Sequence, residues 1–288
     1  MRAINFNHGE QKGITLRATE IFQSLRRLAE LLAFYLRFLW LNFKTQRGFV
    51  KPGAAVVEKS AGEAYDLWSE SYDFQSGNLM LDLDEKLSSG FISRVDLTGK
   101  HVADIGCGTG RHWPKLFERM PRSVTGFDVS PGMLEKLKNK FPLAKVRHIE
   151  NDLLLDTPDG SFDVIVSTLT MAHIPGIEAA LGAWCRIAKP DAEIVITDFH
   201  PEILENGGKR TFSHRQTTIA VQNYVHPVPR IAEILQEHGF RLAEWKEITI
   251  DESMKHYYAR RHALPVYEKY KGRAVIYGLH FKRGHGTE

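Results

Sequence analysis

A chain of 288 residues with 43% hydrophobic and 25% charged side chains has the balance of a soluble globular protein with one sizeable core. Two cysteines, Cys107 and Cys185, are too few for a disulfide framework and fit a reducing cytoplasm, and no Cys/His spacing suggests a metal centre. The net charge of +3 is uneven: residues 1–50 carry eight Lys/Arg and three Asp/Glu, so the rest is near −2 and lacks the broad basic face that nucleic acid requires.

Residues 17–46 read as one helix, because Ile21, Leu25, Leu28, Leu32, Tyr35 and Leu39 alternate at spacings of four and three. Its apolar second half, Leu31 to Phe43, is broken by Arg37 and falls short of the roughly 20 residues of a membrane span. No small-residue cleavage site follows an early apolar stretch, which argues against a secretory signal. Three roles stay open for this helix. It packs on the domain or on a second copy, giving a homo-oligomer. It lies in a membrane surface, with Trp40 and Phe43 inserted and Arg26, Arg27, Lys44 and Arg47 at head groups. Or it closes over a substrate entrance. The expected location is the cytoplasm, with peripheral membrane contact left open. Pro52-Gly53 separates this extension (1–56) from a domain over 57–288, which begins with a helical preamble at about 57–92.

The segment Val102-Ala103-Asp104-Ile105-Gly106-Cys107-Gly108-Thr109-Gly110 reads as a buried strand, a glycine turn and a helix starting near Arg111. Its G-x-G-x-G spacing departs from the dinucleotide pattern G-x-G-x-x-G, and no G-x-x-x-x-G-K-[ST] loop is present. Asp104 beside the turn would repel a phosphate but suits a ligand with an ammonium group. A second strand, Ser123 to Asp128, ends in an acid about 20 residues on, where a carboxylate accepts both hydroxyls of a ribose. A third strand ends in His148-Ile149-Glu150-Asn151-Asp152-Leu153. A fourth runs from Ser161 to Ser167 and continues towards His173. Arg186 to Ala192, with a Lys189-Pro190 turn, leads into a fifth strand, Glu193 to Phe199.

After the fifth strand, residues 201–226 form a polar insertion with Gly207-Gly208, expected as a loop or lid. Arg230 to His238 is an amphipathic helix stopped by Gly239. Strands are expected over 241–250 and 274–282.

As an ordered set over about 100–200, these segments resemble the class I S-adenosylmethionine-dependent methyltransferases. The small-molecule branch, which includes ubiquinone- and menaquinone-type methyltransferases, is most similar, because Tyr65-Asp66 and Tyr72-Asp73 stand before the core. The resemblance implies an α/β, Rossmann-like, seven-stranded and mostly parallel sheet, its last strand antiparallel, with helices on both faces. It also implies S-adenosyl-L-methionine as cofactor. Asp104 would attract the methionine ammonium, and Gly106, Cys107, Gly108 and Gly110 would let the backbone approach. Asp128 would take the ribose, Asp152 and Leu153 the adenine, and the carbonyl of Ser167 the methionine portion. Tyr72, Val129 and Met133 complete the implied set.

The expected reaction is methyl transfer to a small, lipophilic or aromatic acceptor at oxygen or carbon. A base is needed only where the nucleophile carries a proton. His173 and His200, after the fourth and fifth strands, are the candidates; His214 and His226 lie further along. Arg210, Tyr224 and His226 are candidate substrate contacts, with Arg210 suited to a carboxylate or phosphate. No Asn/Asp-Pro-Pro-Tyr sequence follows the fourth strand, where Ser167-Thr168-Leu169-Thr170 stands, so flipped-base chemistry lacks its signature. The competing readings are a protein or nucleic-acid methyltransferase, a non-catalytic binding or membrane-scaffolding protein, and a dinucleotide oxidoreductase.

Overall fold

The computed structural model describes residues 56–284, so the helix expected over 17–46 lies outside the described residues. The central sheet contains β2 (His101–Ile105), β3 (Ser123–Asp128), β4 (Lys145–His148), β5 (Phe162–Thr168), β6 (Ala188–Phe199), β9 (Phe240–Thr249) and β10 (Ala274–Arg283). Their order is β4-β3-β2-β5-β6-β10-β9. All lie parallel except β10, which runs antiparallel between β6 and β9. The expected seven-stranded sheet with an antiparallel last strand is therefore present.

Alternation builds the two layers, because successive side chains on a strand face opposite ways. On β2, Val102 points into one core and Ala103 and Ile105 into the other. The first core is covered by α2 (Leu79–Ile92), α3 (Trp113–Glu118) and α4 (Pro131–Lys140), and the second by α5 (Ile177–Ile187) and α7 (Val228–Glu237). Helix α7 ends before Gly239, at φ 82°, as a left-handed helix stop predicts. Two short helices, α8 (Lys255–Ala259) and α9 (Leu264–Tyr270), bring Tyr267 and Tyr270 onto the first core.

Three expectations change. The segment 57–92 begins with a strand, β1 (Val56–Lys59), before α1 (Ala61–Trp68). The insertion 201–226, expected as a loop or lid, is largely regular structure. It holds α6 (Pro201–Glu205) and a hairpin of β7 (Thr211–His214) and β8 (Thr217–Val221). Strand β1 adds to β8 in parallel, giving a second, three-stranded sheet whose Phe212, Ile219 and Val221 pack on Ala64 and Trp68 of α1 and Met133 of α4. Pairing between segments so far apart in sequence leaves no local signal. Lys189-Pro190 is drawn into β6, with a register shift opposite Phe162 and Val164.

Because β2 leads to β3 and β4 on one side while β5 leads to β6 on the other, the chain reverses its winding between β2 and β5. A crevice opens at the carboxyl ends of strands at such a point.

Gly278 on β10 lies directly against α2. A Cβ there would stand 2.3 Å from the Phe91 ring and 3.0 Å from Leu87. Gly278→Ala should lower stability by about 1–3 kcal/mol through overpacking, seen as a lower urea midpoint at an unchanged slope. An unchanged midpoint would show that α2 is not packed as described.

Candidate active site

A cavity of about 570 Å³ occupies the crevice. Its floor comes from four strand ends: Ile105 and Gly106 after β2, Asp128 and Val129 after β3, His148 to Asp152 after β4, and Thr168 to Thr170 after β5. Tyr65, Tyr72, His173, Gln222 and Tyr224 complete the wall. Among the described lining residues there are three acids, Asp128, Glu150 and Asp152, and no lysine or arginine.

The glycine turn is shaped by what it touches. Gly106 has φ 73°, and a Cβ there would stand 2.0 Å from Oγ1 of Thr170, so only glycine lets the β2 and β5 ends meet. The amide of Gly108 donates to Oδ2 of Asp128 at 2.7 Å, while the amide of Ser130 donates to Oδ1 at 2.9 Å. Asp128 thus ties the turn to the end of β3. Asp104 lies one strand over and accepts from Nε1 of Trp113 at 2.8 Å. Burial pushes the Asp104 carboxyl up to about 6 and raises those of Asp128 and Asp152 as well.

The two Tyr-Asp pairs divide their labour. Asp66 accepts from the hydroxyl of Ser130 at 3.1 Å and the amide of Gly132 at 2.7 Å. Asp73 accepts from Thr109 Oγ1 at 2.6 Å and from Lys140 Nζ at 3.0 Å. These acids fasten the α1 segment to the turn and to α4. The tyrosines beside them, Tyr65 and Tyr72, then face the cavity.

His173 ends a short 3-10 turn, Met171–His173, after β5. Its Nδ1 lies 2.9 Å from the carbonyl of Gln222, which accepts only, so Nδ1 carries the proton. Nε2 therefore offers a lone pair, and the Tyr65 hydroxyl donates to it at 3.0 Å. Burial, reinforced by the nearby Arg210 charge, pulls His173 down to about 4. Burial also raises the Tyr65 phenol well above its ordinary value.

Of the cofactor residues expected from sequence, Tyr72, Gly106, Gly108, Asp128, Val129, Met133 and Asp152 line the cavity. Asp104 sits just behind, buried under Trp113. Cys107, Gly110, Ser167 and Leu153 do not line it. Cys107 turns its sulfur toward Gly126 of β3, and Gly110 faces Leu137. Ser167 is fully buried and donates to the carbonyl of Ile105 at 2.9 Å, so the strand end that faces the cavity is one residue later, at Thr168. Leu153 points outward, 37% exposed, and Ile149 lines the cavity instead.

His200 does not reach the site. It caps α6, accepting from the amide of Glu202 at 3.2 Å, and its Nε2 lies 3.1 Å from Glu247. His214 belongs to the β7–β8 hairpin. His226 lines a separate recess of about 10 Å³ with Phe199 and Tyr277, while Tyr224 borders both spaces. Arg210 stands behind the wall rather than on it. It is 6% exposed, with its guanidinium carbon 5.1–6.0 Å from the rings of Trp68, Phe199, Tyr65 and Tyr72. It donates to the Tyr72 hydroxyl at 3.2 Å, and its Nε and Nη1 meet no acceptor among the described residues.

Sequence reasoning missed Tyr65, Gln222 and Asp198. Tyr65 was visible in its Tyr-Asp pair, seven residues before Tyr72. Asp198, the acid at the end of β6, accepts from the amides of Ala172 at 2.9 Å and Phe199 at 2.6 Å. Burial raises it to about 7. Gln222 acts through its backbone, which a sequence pattern does not report.

Residues 103–196 match the family described as "Methyltransferase domain". A demethylmenaquinone methyltransferase of Tropheryma whipplei (strain Twist) is 27% identical over 172 residues, covering 52% of this chain and 70% of that protein. A malonyl-[acyl-carrier protein] O-methyltransferase of Paenibacillus sp. is 25% identical over 150 residues, covering 50% and 52%. In fold, the chain is similar to a putative S-adenosylmethionine-dependent methyltransferase of Listeria monocytogenes, with TM-score 0.56 at 18% identity over 72% of this chain and 100% of that one.

Asp104 supplies a pH test. Its folded-state value of about 6 exceeds the ordinary 3.8, so the native state keeps this proton longer than the unfolded chain does. The stability this contributes is full below about pH 4 and is lost as the pH rises through about 6. Asp104→Asn cannot lose a proton. Its unfolding free energy should gain on the wild type between pH 4 and 8 by up to about 3 kcal/mol, read by urea titration at each pH. Parallel pH profiles would mean that Asp104 is not desolvated.

Proposed function

We propose that this chain, a class I S-adenosylmethionine-dependent methyltransferase, moves the methyl group to a small, lipophilic or aromatic acceptor at oxygen or carbon. The observation that carries the donor half is the charge of the cavity. Three acids and no described lysine or arginine line it, with Asp104 buried behind. That set suits a donor bearing an ammonium and a sulfonium and opposes a ligand rich in phosphate, which disfavours the dinucleotide reading.

Asp128 would hold the ribose hydroxyls. The amides of Gly108 and Ser130 keep its oxygens fixed, so they lose little freedom on binding. The segment Ile149 to Asp152 would hold the adenine, and Asp104 would attract the ammonium. When bound, the donor supplies an activated methyl group on a sulfonium, whose leaving group is neutral.

The protein's remaining tasks are alignment and exclusion of water. Tyr65, Tyr72 and Tyr224 offer an acceptor flat apolar faces on the cavity wall. Demethylmenaquinone, in the name of one relative, is an acceptor of that kind. His173, neutral and with its Nε2 lone pair bonded to the Tyr65 hydroxyl, is the basic nitrogen of this wall for an acceptor that must lose a proton. His200 and His226 take no part in this reading.

Calorimetry tests the donor site. Asp128→Ala should weaken S-adenosylhomocysteine binding about 10–100-fold, the worth of a charge-assisted hydrogen bond or two. Equal affinity in wild type and variant would remove the assignment, and no binding to the wild type would remove the donor.

A further inference from the structure

The cavity wall holds one side-chain pair that the reading above uses only in part. Tyr65 and His173 are 108 residues apart in sequence, yet the tyrosine hydroxyl lies 3.0 Å from Nε2 and its ring meets the imidazole edge-on, with centroids 5.4 Å apart. The carbonyl of Gln222 fixes the tautomer, so the direction of this hydrogen bond is set. Tyr65 donates its only hydrogen to His173. Its oxygen lone pairs are then left for whatever stands in the cavity, and they can only accept. His173 does not offer its lone pair directly to an acceptor, because Tyr65 occupies it.

A second observation selects the kind of hydrogen donor. Arg210 is buried behind the two tyrosines, its guanidinium carbon 5.8 Å from the Tyr65 ring and 6.0 Å from that of Tyr72. Other titratable groups facing this pair are Asp198 and Asp128, both buried carboxyls with raised values, and the neutral Tyr72 phenol. A fixed guanidinium at that distance favours an oxygen that gains negative charge, and it keeps the His173 imidazole neutral before the step and quick to lose a proton after it. An ammonium acceptor meets repulsion there, while a hydroxyl that is giving up its proton is stabilised.

We propose that Tyr65 is the catalytic residue that receives the acceptor's hydroxyl proton while passing its own to Nε2 of His173, and that the acceptor is a neutral phenol or enol methylated at oxygen. This rests on the methyltransferase reading above. The balance is complete. The acceptor oxygen forms a bond to the methyl carbon with one of its lone pairs, and the carbon–sulfur bond breaks with its pair kept by sulfur. The acceptor's O–H bond breaks, its proton goes to Tyr65 Oη, and the former Tyr65 proton becomes the second N–H of His173. One positive charge leaves sulfur and one appears on the imidazole, so the net charge is unchanged, and the repulsion from Arg210 makes that imidazolium short-lived. A weak base suffices, since an oxygen acquiring a methyl group becomes a far stronger acid. His173 afterwards gives up its proton readily to water, in keeping with its value of about 4.

The test uses the full chain, S-adenosylmethionine and a panel of simple phenols graded in acidity, from alkylphenols to nitrophenols already ionised at the assay pH. Release of S-adenosylhomocysteine is the readout. Tyr65→Phe and His173→Asn should each lose about 100-fold or more on the weakly acidic phenols, in the range of general-base effects. The loss should shrink steadily as the phenol becomes ionised, a trend that a merely structural role would not produce. Nitrogen-15 NMR gives a readout apart from turnover: His173 should carry its proton on Nδ1, and its Nε2 signal should move in Tyr65→Phe. Equal losses across the panel, an Nε2–H tautomer, or faster methylation of alkylamines than of phenols would overturn the proposal. Donor binding without turnover of any phenol would overturn it too, leaving the donor site standing. Absence of donor binding would instead refute the reading on which it rests.

Discussion

The carboxyl edge of a parallel sheet gathers strand ends in one dry place, and here three of those ends carry buried acids. Asp128, Asp104 and Asp198 close β3, β2 and β6, and burial raises all three above the ordinary carboxyl range. A carboxyl in such a position survives only with hydrogen-bond donors or a cation beside it. Asp128 and Asp198 each take two backbone amides, and Asp104 takes the indole of Trp113. These bonds fix the glycine turn, the start of α3 and the segment after β5 relative to one another. The shape of the cavity follows from them.

The acids also distribute charge. Asp128 and the loop acids Glu150 and Asp152 face the cavity, while the cation Arg210 is held behind its wall, in a cage of aromatic rings. One end of the space therefore suits a cationic nucleoside and the other suits an oxygen acid. A second acid network lies deeper. Asp84 on α2 accepts from Arg111, from His112 at 3.0 Å and from Thr197 on β6. Burial would push Asp84 up, but His112 and Arg111 outweigh it and hold it at about 2. This charged group joins the start of α3 to β6 across the first core, and so supports the glycine turn from below.

Much of the sheet was legible in the sequence because period-2 apolar strands ended in recognisable residues. The glycine spacing, Asp128 and Asp152 marked the end proposed for the nucleoside, and all three places line the cavity. Two places moved: Thr168, one residue after Ser167, lines the cavity at the end of β5, and Ile149, four residues before Leu153, lines it after β4, because a sequence pattern does not show which residues of a strand end and its loop turn inward. His200 reads as a site histidine by position, yet its side chain serves as a helix cap. The second sheet was illegible, since β1 and β8 pair across some 160 residues and β1 is only Val56–Lys59. The Tyr65–His173 contact depends on that same long-range closure. Among the described residues no helix is long and apolar enough to cross a membrane.

The acids at the carboxyl edge would place a methyl-donor nucleoside across β2, β3 and β4. A crystal structure of the full chain with S-adenosylhomocysteine tests it most directly. The account predicts ribose hydroxyls within hydrogen-bond distance of Asp128, adenine against Ile149 to Asp152, and the sulfur directed toward the wall of Tyr65 and Tyr224. A nucleoside bound elsewhere, or bound here with no contact to Asp128, would contradict it.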